Sequence, residues 1–327
     1  MARPAGPAAV PGCYDAPLSM RPESRPMPPP SAGSAAAVLA PGTASAPTPA
    51  EAEALCEGVA TRHYENFPVG SWLLPRAVRP AVRAVYAFAR AADDFADEPV
   101  FEGRRLALLE EWERSLHAAF DGEARHPVFV ALAGAIRRHR LPRQPFLDLL
   151  AAFRRDAVTP RTPDWASLLD YCRLSADPIG RLVLHLFGVD DEARLRLSDR
   201  ICTGLQLANH WQDLAIDARR GRFYAPAELM RRSGVDEAAL AADEGSDAGR
   251  ALVRDLATRS LPFFDEGRAL CDQVPGRLSY ELRLTWLGGR RILERIGAVG
   301  GDVWRHRPRI GPAGAVHLAM GAVLWRR

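Results

Sequence analysis

Residues 76–98, RAVRPAVRAVYAFARAADDFADE, carry the clearest helical pattern in the chain. Pro80 is well placed for the first turn of a helix, and Val and Ala recur after it, so this segment is predicted to be helical. Four polar residues follow at spacings of i, i+4, i+7 and i+11, and they are Tyr86, Arg90, Asp93 and Asp97. At about 100° per residue these positions fall within a narrow arc. One face of the helix is therefore predicted to present an aromatic hydroxyl, a guanidinium and two carboxylates.

Residues 204–217, GLQLANHWQDLAID, repeat this arrangement further along the chain. Their polar stripe, again at helical spacing, consists of Gln206, Asn209, Asp213 and Asp217. A single pair of aspartates four residues apart usually lies exposed on a helix surface, where the like charges are slightly destabilising. Two such pairs, each flanked by amide, arginine or tyrosine groups on the same stripe, indicate instead that two helix faces bring four carboxylates together.

Convergent carboxylates repel each other unless cations lie between them. Their hard oxygen atoms suit Mg²⁺, which usually takes one or two protein carboxylates and leaves its other positions to water and substrate phosphates. The four stripe aspartates are therefore expected to hold a cluster of two or three Mg²⁺ ions that binds a diphosphate. Arg90 is expected to be a fixed cation for the same phosphates, because its planar guanidinium matches phosphate oxygens.

The composition excludes several other chemistries. All 43 basic residues of the 327-residue chain are arginine, so no lysine is available for a Schiff base, a phosphate-binding loop or a kinase site. The formal net charge of +3 and the dispersed arginine pairs offer no concentrated basic face for nucleic acid. The five cysteines show no close pair and no zinc-like spacing, which favours a reduced, cytoplasmic setting. No apolar run reaches the roughly 20 residues of a transmembrane helix.

The chain divides near residue 50. Residues 1–50 contain 12 of its 27 prolines and almost no periodic apolar pattern, so this Pro/Ala-rich segment is predicted to be disordered. Residues 51–327 contain long proline-free windows rich in Ala, Leu and Arg, which predict one all-α domain around a single core. The apolar C-terminal stretch 311–327 fits either a final packing helix or a peripheral contact with a membrane.

Together, these motifs resemble the squalene and phytoene synthase family over residues 55–300. In that family the first aspartate motif follows a Tyr-x-x-x-Arg, and the second follows a Gln-x-x-Asn and precedes an Arg-x-Tyr, which Arg222 and Tyr224 match. YCRLSADPIG, residues 171–180, resembles the family's channel-lining helix, from Tyr171 to Gly180. The resemblance implies a single-domain helical bundle of the isoprenoid synthase type and a prenyl diphosphate substrate. It also implies catalytic roles for Tyr86 and Tyr224, and substrate contacts from Gln206, Asn209, Arg222, Tyr171 and Gly180.

Two departures from the family pattern favour one branch of it. Condensing members have serines in their N-terminal phosphate-contacting segment and an arginine immediately before the second aspartate motif. This chain has HYENFPVGSWLLP at residues 63–75 and Gln212 before Asp213. Fewer cationic contacts are expected to suit one bound diphosphate rather than two. The same segment, with its candidate substrate residues Asn66 and Phe67, resembles a hopanoid-pathway subgroup that converts presqualene diphosphate and water to hydroxysqualene and diphosphate. The resemblance therefore implies a carbon–oxygen lyase that needs Mg²⁺ and no NADPH, and a C30 substrate.

Three alternatives remain open at this stage. The chain could be a prenyltransferase that condenses two farnesyl diphosphates head to head, a non-catalytic assembly protein, or a membrane-surface binding protein. The sequence also leaves open whether neighbouring pathway enzymes bind the N-terminal segment. Asp177 lies near the predicted channel, where an ionised carboxylate is costly unless it is paired. Its expected partners are Arg173 and Arg181, each four residues away.

Overall fold

The computed structural model describes residues 47–62, 74–158 and 161–325 of the chain. These residues form helices joined by short loops, and they contain no strand beyond one isolated bridge between Arg161 and Phe223. The helices are α1 (Pro49–Arg62), α2 (Arg79–Asp97), α3 (Arg105–Asp121), α4 (Pro127–His139), α5 (Gln144–Val158), α6 (Trp165–Ser175), α7 (Asp177–Leu186), α8 (Glu192–Arg219), α9 (Ala227–Arg232), α10 (Glu237–Ala241), α11 (Asp247–Gly267), α12 (Leu270–Gln273), α13 (Gly276–Ala298) and α14 (Pro312–Val323). The all-α prediction is confirmed.

The predicted domain boundary is close to the start of the first described helix. Helix α1 begins at Pro49, two residues inside the segment 1–50 for which disorder was predicted. Residues 1–46 lie outside the described part of the chain, so the prediction made for them stays a prediction.

The apolar side chains of α2 determine which side of this helix faces the core. Phe88 and Phe95 of this helix are completely buried. Trp112 of α3 packs against Phe95 at 5.3 Å between ring centroids, and its Nε1 donates a hydrogen bond to the carbonyl of Phe88 at 3.2 Å. Because these rings hold one side of the helix against the core, the polar stripe of α2 is turned away from it.

Helix α8 is the longest element, and a buried tryptophan fixes its rotation in the same way. Its first turn is capped by Asp191, whose side chain accepts a hydrogen bond from the backbone of Arg194 at 3.0 Å. Trp211 is completely buried, and its Nε1 donates to Ser260 Oγ of α11 at 2.8 Å. The opposite side of α8, with the second polar stripe, is thereby directed away from this contact.

The buried residues form two clusters, so the prediction of a single core is wrong. One cluster is built mainly from α1–α5, and the other from α6–α13. Phe187, at the end of α7, packs against both. Between the clusters lies a cavity of about 950 Å³, lined by members of each. Apolar residues that the sequence pattern assigned to one core therefore surround a space that a ligand can occupy.

The C-terminal stretch forms α14, which packs on α13. Tyr280 donates to the carbonyl of Ala319 at 3.1 Å, and Trp325 packs edge-on against Trp286. The outer side of α14 leaves Val316, Met320 and other large apolar residues more than half exposed. The packing-helix alternative is thus confirmed, and membrane contact stays a prediction. Among the helices described, none combines the length and the hydropathy needed to cross a bilayer.

Candidate active site

The cavity between the two clusters is apolar along most of its walls and polar at one end. Its apolar lining comes from five helices and includes Phe153, Ile179, Val183, Leu205, Leu282 and Ile292. Part of each predicted stripe lines it, namely Tyr86, Arg90 and Asp93 from α2 and Gln206 and Asn209 from α8, with Gln212 beside them. Asp97, Asp213 and Asp217 are not among its lining residues. The two helix faces predicted from periodicity therefore line the same space.

Arg222 joins the far ends of the two stripes. It follows α8 in the chain, and its Nη2 contacts Asp97 Oδ1 of α2 at 2.7 Å. Burial raises the pKa of Asp217 to about 6, with Asp213 adding to the rise and Arg222 opposing it. The carboxylates at this end are thus close enough to repel each other, and one guanidinium offsets part of that repulsion.

The first stripe contains an ion pair that its spacing did not reveal. Arg90 Nη2 lies 2.5 Å from Asp94 Oδ1, whereas its Nη1 is 3.9 Å from Asp93 Oδ2. Asp94 is only 1% exposed, so Arg90 is held mainly by a buried carboxylate one turn away. Asp93 remains 42% accessible from the cavity, but surrounding protein atoms and the neighbouring Asp97 raise its pKa. The predicted role of Arg90 as a fixed cation for the phosphates stays a prediction.

The second stripe is held by an arginine from the loop after α13. Arg307 approaches Asp213 with two nitrogens, Nε at 2.5 Å and Nη2 at 2.8 Å from the two carboxylate oxygens. Beside it, the side chain of Gln212 donates to the carbonyl of Pro308. A guanidinium thus reaches the second motif from 94 residues away, although Gln212 itself carries no charge. The expectation of one bound diphosphate stays a prediction.

Aromatic side chains and a further carboxylate lie beside this end of α8. The Tyr171 hydroxyl donates to Asp156 Oδ2 at 2.8 Å, and the ring of Tyr224 stacks on that of His210 at 3.9 Å between centroids. Burial raises the pKa of Asp156 to about 7, against the effect of the Tyr171 hydrogen bond. Burial lowers the pKa of His210 to about 3, so this ring is neutral and accommodates the stacked phenol. His210 also contacts the Gln206 amide nitrogen at 3.3 Å.

The donor chemistry fits Mg²⁺, although the carboxylates are not gathered around one point. Within the described ranges, no three His, Cys, Asp or Glu side chains are grouped closely enough to hold a metal ion. Burial, and after it the neighbouring carboxylates, raise the pKa values of Asp93 and Asp217, and a divalent cation would favour their charged forms. Arginines pair with Asp97 and Asp213 in this arrangement. The predicted metal role of the four aspartates stays a prediction.

Comparison with known proteins identifies the family. The model of the squalene/phytoene synthase family matches residues 60–313. The chain belongs to the squalene/phytoene synthase family. It is 33% identical over 266 residues to the hydroxysqualene synthase of Rhodopseudomonas palustris, covering 80% of this chain and 89% of that one. It is 28% identical over 269 residues to the 15-cis-phytoene synthase of Synechococcus elongatus, covering 79% and 87%.

A solved structure supports the same assignment. The crystal structure of squalene synthase HpnC from Alicyclobacillus acidocaldarius matches with a TM-score of 0.73 at 43% identity, over 78% of this chain and 96% of that one. A dehydrosqualene synthase in complex with a ligand shares the fold, with a TM-score of 0.75 at 23% identity over 85% and 97%. The isoprenoid synthase fold is confirmed. The chain is therefore an enzyme of the squalene/phytoene synthase type, and its family implies a prenyl diphosphate substrate.

In the segment from Tyr171 to Gly180, Gly180 lines the cavity and Tyr171 is not among the lining residues. Gly180 lines the cavity, and a Cβ there would lie 2.4 Å from Ser198 Oγ, so α7 can approach α8 this closely only with glycine. Asp177 is buried and accepts a hydrogen bond from Thr203 Oγ1 at 2.9 Å. The expected pairing of Asp177 with Arg173 or Arg181 is wrong, because those arginines bind Asp170 and Asp199.

Two predicted substrate residues cannot be placed, and three others were missed. Asn66 and Phe67 lie outside the residues that the structure describes. The missed residues are Asp94, Asp156 and Arg307. Asp94 was detectable in principle, because Asp at i+4 from Arg90 is a common helical ion pair. Asp156 and Arg307 carry no motif, and only the tertiary fold brings them to the stripes.

Proposed function

We propose that this squalene/phytoene synthase converts presqualene diphosphate and water to hydroxysqualene and diphosphate in a Mg²⁺-dependent reaction of hopanoid biosynthesis. The observation that carries the proposal is the cavity, whose walls are mostly apolar and include Arg90 and Asp93. Two further carboxylates of the same helix stripes, Asp97 and Asp213, pair with arginines. Relatives that share 33–42% identity with the chain bear the name hydroxysqualene synthase. A hydrocarbon chain fits the apolar part of such a site, and a diphosphate fits the charged end.

The first step is departure of the diphosphate. When bound, Mg²⁺ would neutralise the negative charge that develops on the leaving group. Asp93, Asp97, Asp213 and Asp217 would hold it, and the guanidiniums of Arg222 and Arg307 lie beside two of these carboxylates. Fixed cations of this kind stabilise developing charge without reorganising during the reaction. Arg90 contributes positive charge from the cavity wall while Asp94 fixes its position.

The second step is control of the C30 carbocation that remains. Residues such as Phe153, Leu205 and Ile292 offer no nucleophile to it, and they exclude bulk water from the space it occupies. The rings of neutral His210 and Tyr224 stack face to face, and His210 contacts Gln206 of the cavity lining. Their uncharged aromatic faces are compatible with a nearby cation, whereas a protonated imidazole would repel it. Tyr86 lines the cavity on the opposite helix and is proposed to orient the diphosphate or the incoming water.

Condensation of two farnesyl diphosphates is the second candidate. It is favoured by the resemblance to phytoene synthases, including the enzyme from Synechococcus elongatus. Arg307 beside Asp213 also favours this candidate. It supplies a cation that could bind a second diphosphate, whereas the sequence pattern predicted few cations at the second stripe. A purely structural assembly role has no such support, since it requires neither the apolar cavity nor the crowded carboxylates.

Product analysis separates the candidates. Purified protein is incubated with Mg²⁺ and either presqualene diphosphate or farnesyl diphosphate, without NADPH, and the organic products are identified by mass spectrometry. We expect hydroxysqualene from presqualene diphosphate. If farnesyl diphosphate is instead converted efficiently to presqualene diphosphate and the reaction stops there, the condensing function is correct.

A further inference from the structure

Three glycines of the described residues line the cavity, and packing explains two of them. A Cβ atom on Gly180 would lie 2.5 Å from Cys202 Sγ, and one on Gly289 would lie 2.5 Å from Phe264 Cζ. Neither distance is compatible with a side chain, so close helix packing requires glycine at both positions. The third glycine is Gly288, next to Gly289 on α13.

Gly288 has room for a side chain. A Cβ atom there would lie 3.7 Å from Ile310 Cδ1 and 3.9 Å from Leu318 Cδ1, which are the distances of ordinary van der Waals contacts. Its backbone is helical and is not among those with a positive φ. Neither packing nor backbone conformation therefore requires glycine at residue 288.

A glycine that the fold does not require weakens the helix that contains it. Helix α13 runs from Gly276 to Ala298, so residue 288 lies near its centre. Glycine in a helix interior is less favourable than alanine, because it loses more backbone conformational freedom on folding. The structure of α13 alone gives no reason for this cost, whereas the place of Gly288 on the cavity wall does.

Gly288 belongs to the side of α13 that faces the cavity. Glu281, Thr285, Gly288 and Ile292 follow at i, i+4, i+7 and i+11, which places them on one helix face, and all four line the cavity. The other three contribute side chains to this wall. Ile310, which a Cβ atom at residue 288 would touch, lines the cavity as well. A larger residue at 288 would therefore occupy space that is open to a ligand.

We propose that the absence of a side chain at Gly288 provides space for the hydrocarbon of a C30 substrate, so that residue 288 determines which substrate size the cavity accepts. The identity of that substrate rests on the proposed function. Presqualene diphosphate has two prenyl arms joined at one reacting end, and both must fit into the one cavity. A side chain at residue 288 narrows the cavity and favours a substrate with shorter arms. Gly288 takes no part in the bond changes.

The test compares the wild-type enzyme with Gly288→Leu and Gly288→Ala. Diphosphate release is measured with presqualene diphosphate and with its C20 analogue, assembled from two geranyl units, in the presence of Mg²⁺. We expect the ratio of kcat/KM for the C30 substrate to that for the C20 analogue to fall about tenfold or more in Gly288→Leu, since small changes of fit in an apolar pocket have effects of this size. Gly288→Ala should lower the ratio less and raise Tm by about 2–4 °C.

Gly134→Ala is the matched control. Gly134 lies inside α4, a Cβ atom there would meet nothing within 4 Å, and it is not among the residues that line the cavity. This substitution should raise Tm by a similar amount and leave the substrate ratio unchanged. The comparison separates the effect of helix stability from that of cavity space.

Two results would overturn the inference. One is a substrate ratio in Gly288→Leu equal to that of the wild type, and the other is a fall of Tm in Gly288→Ala, which would give the glycine a structural reason. Failure of the proposed function is a separate outcome, seen as no diphosphate release from presqualene diphosphate by the wild-type enzyme. The same ratio is then measured with farnesyl and geranyl diphosphate, and it decides the role of Gly288 for a condensing enzyme by the same criterion.

Discussion

Arginine side chains pair with aspartates on or beside the two stripes, and each reaches its aspartate by a different route. Arg90 lies on the same helix as Asp94, Arg222 follows the second stripe in the chain, and Arg307 comes from a loop far along it. The first two are within or beside the motifs, so their proximity to the carboxylates could be predicted from the sequence. Arg307 could not, because no local pattern indicates which loop folds back onto Asp213.

Neutralising either stripe should abolish turnover. Asp93→Asn and Asp213→Asn each remove one carboxylate while keeping the shape of the side chain. We expect diphosphate release to fall by about 100-fold or more, since both stripes are proposed to hold the metal and its loss removes charge stabilisation from the leaving group. Circular dichroism should show unchanged helicity. Activity that survives both substitutions would refute the metal-cluster mechanism.

Arg307 is expected to affect catalysis much more than stability. Its pair with Asp213 is partly exposed, and such pairs usually contribute about 0–1 kcal/mol to folding. Arg307→Gln should therefore change Tm little, while kcat/KM for diphosphate release falls about tenfold through loss of a fixed cation. Arg307→Lys, which keeps the charge but lacks the planar fork, should give an intermediate value. A large fall in Tm with normal turnover would instead assign Arg307 a purely structural role.

At the scale of helices, α7 and α8 pack so closely at residue 180 that there is little room for a side chain. A Cβ at position 180 would lie 2.4 Å from Ser198 Oγ and 2.5 Å from Cys202 Sγ. Gly180→Ala should therefore destabilise the protein by about 1–3 kcal/mol, the usual cost of overpacking. Urea unfolding measures this loss, and adding Ser198→Ala with Cys202→Ala should recover much of it. Independent, additive effects of the three substitutions would contradict the close approach.

Helix α7 also carries a carboxyl group whose titration should affect folding. Burial raises the pKa of Asp177 to about 7, with Asp199 adding to the rise and the Thr203 hydrogen bond opposing it. Since the folded state retains the proton to higher pH than the unfolded state, this group lowers the free energy of unfolding as pH rises from about 4 to about 7. Above that range its effect is constant.

Asp177→Asn should remove this part of the pH dependence, because the amide is neutral and its oxygen can still accept from Thr203. The free energy of unfolding is measured at pH 5 and pH 8 for both proteins. We expect the variant to gain stability relative to wild type at the higher pH. Asp170→Asn, on an exposed aspartate of the neighbouring helix, is the control and should not change the pH profile. A parallel shift at both pH values would show that Asp177 titrates normally.

For the molecule as a whole, the sequence predicted the polar residues of the two stripes better than the apolar cavity beside them. Helical periodicity alone placed Tyr86 and Asp93 on one face and Gln206 and Asn209 on another, because side-chain direction in a helix follows from spacing. The same periodicity could not distinguish an apolar residue that packs in a core from one such as Leu205 that lines a cavity. The two-part core was missed for that reason, and Asp156 was missed because its partners lie on other elements.

The division of the core has a direct functional consequence. Residues of both clusters line the cavity, and Phe187 packs against each of them. Helices α2 and α8, one anchored by each cluster, present their polar stripes across this gap. Diphosphate chemistry and hydrocarbon binding are thereby placed at different parts of a single cavity.

The decisive measurement is product formation from presqualene diphosphate by the purified full-length protein with Mg²⁺ and without NADPH. The proposed function predicts hydroxysqualene and diphosphate in equal amounts, with no turnover when Mg²⁺ is removed by a chelator. Conversion of farnesyl diphosphate to presqualene diphosphate as the main activity, with no hydroxysqualene from added presqualene diphosphate, would contradict it.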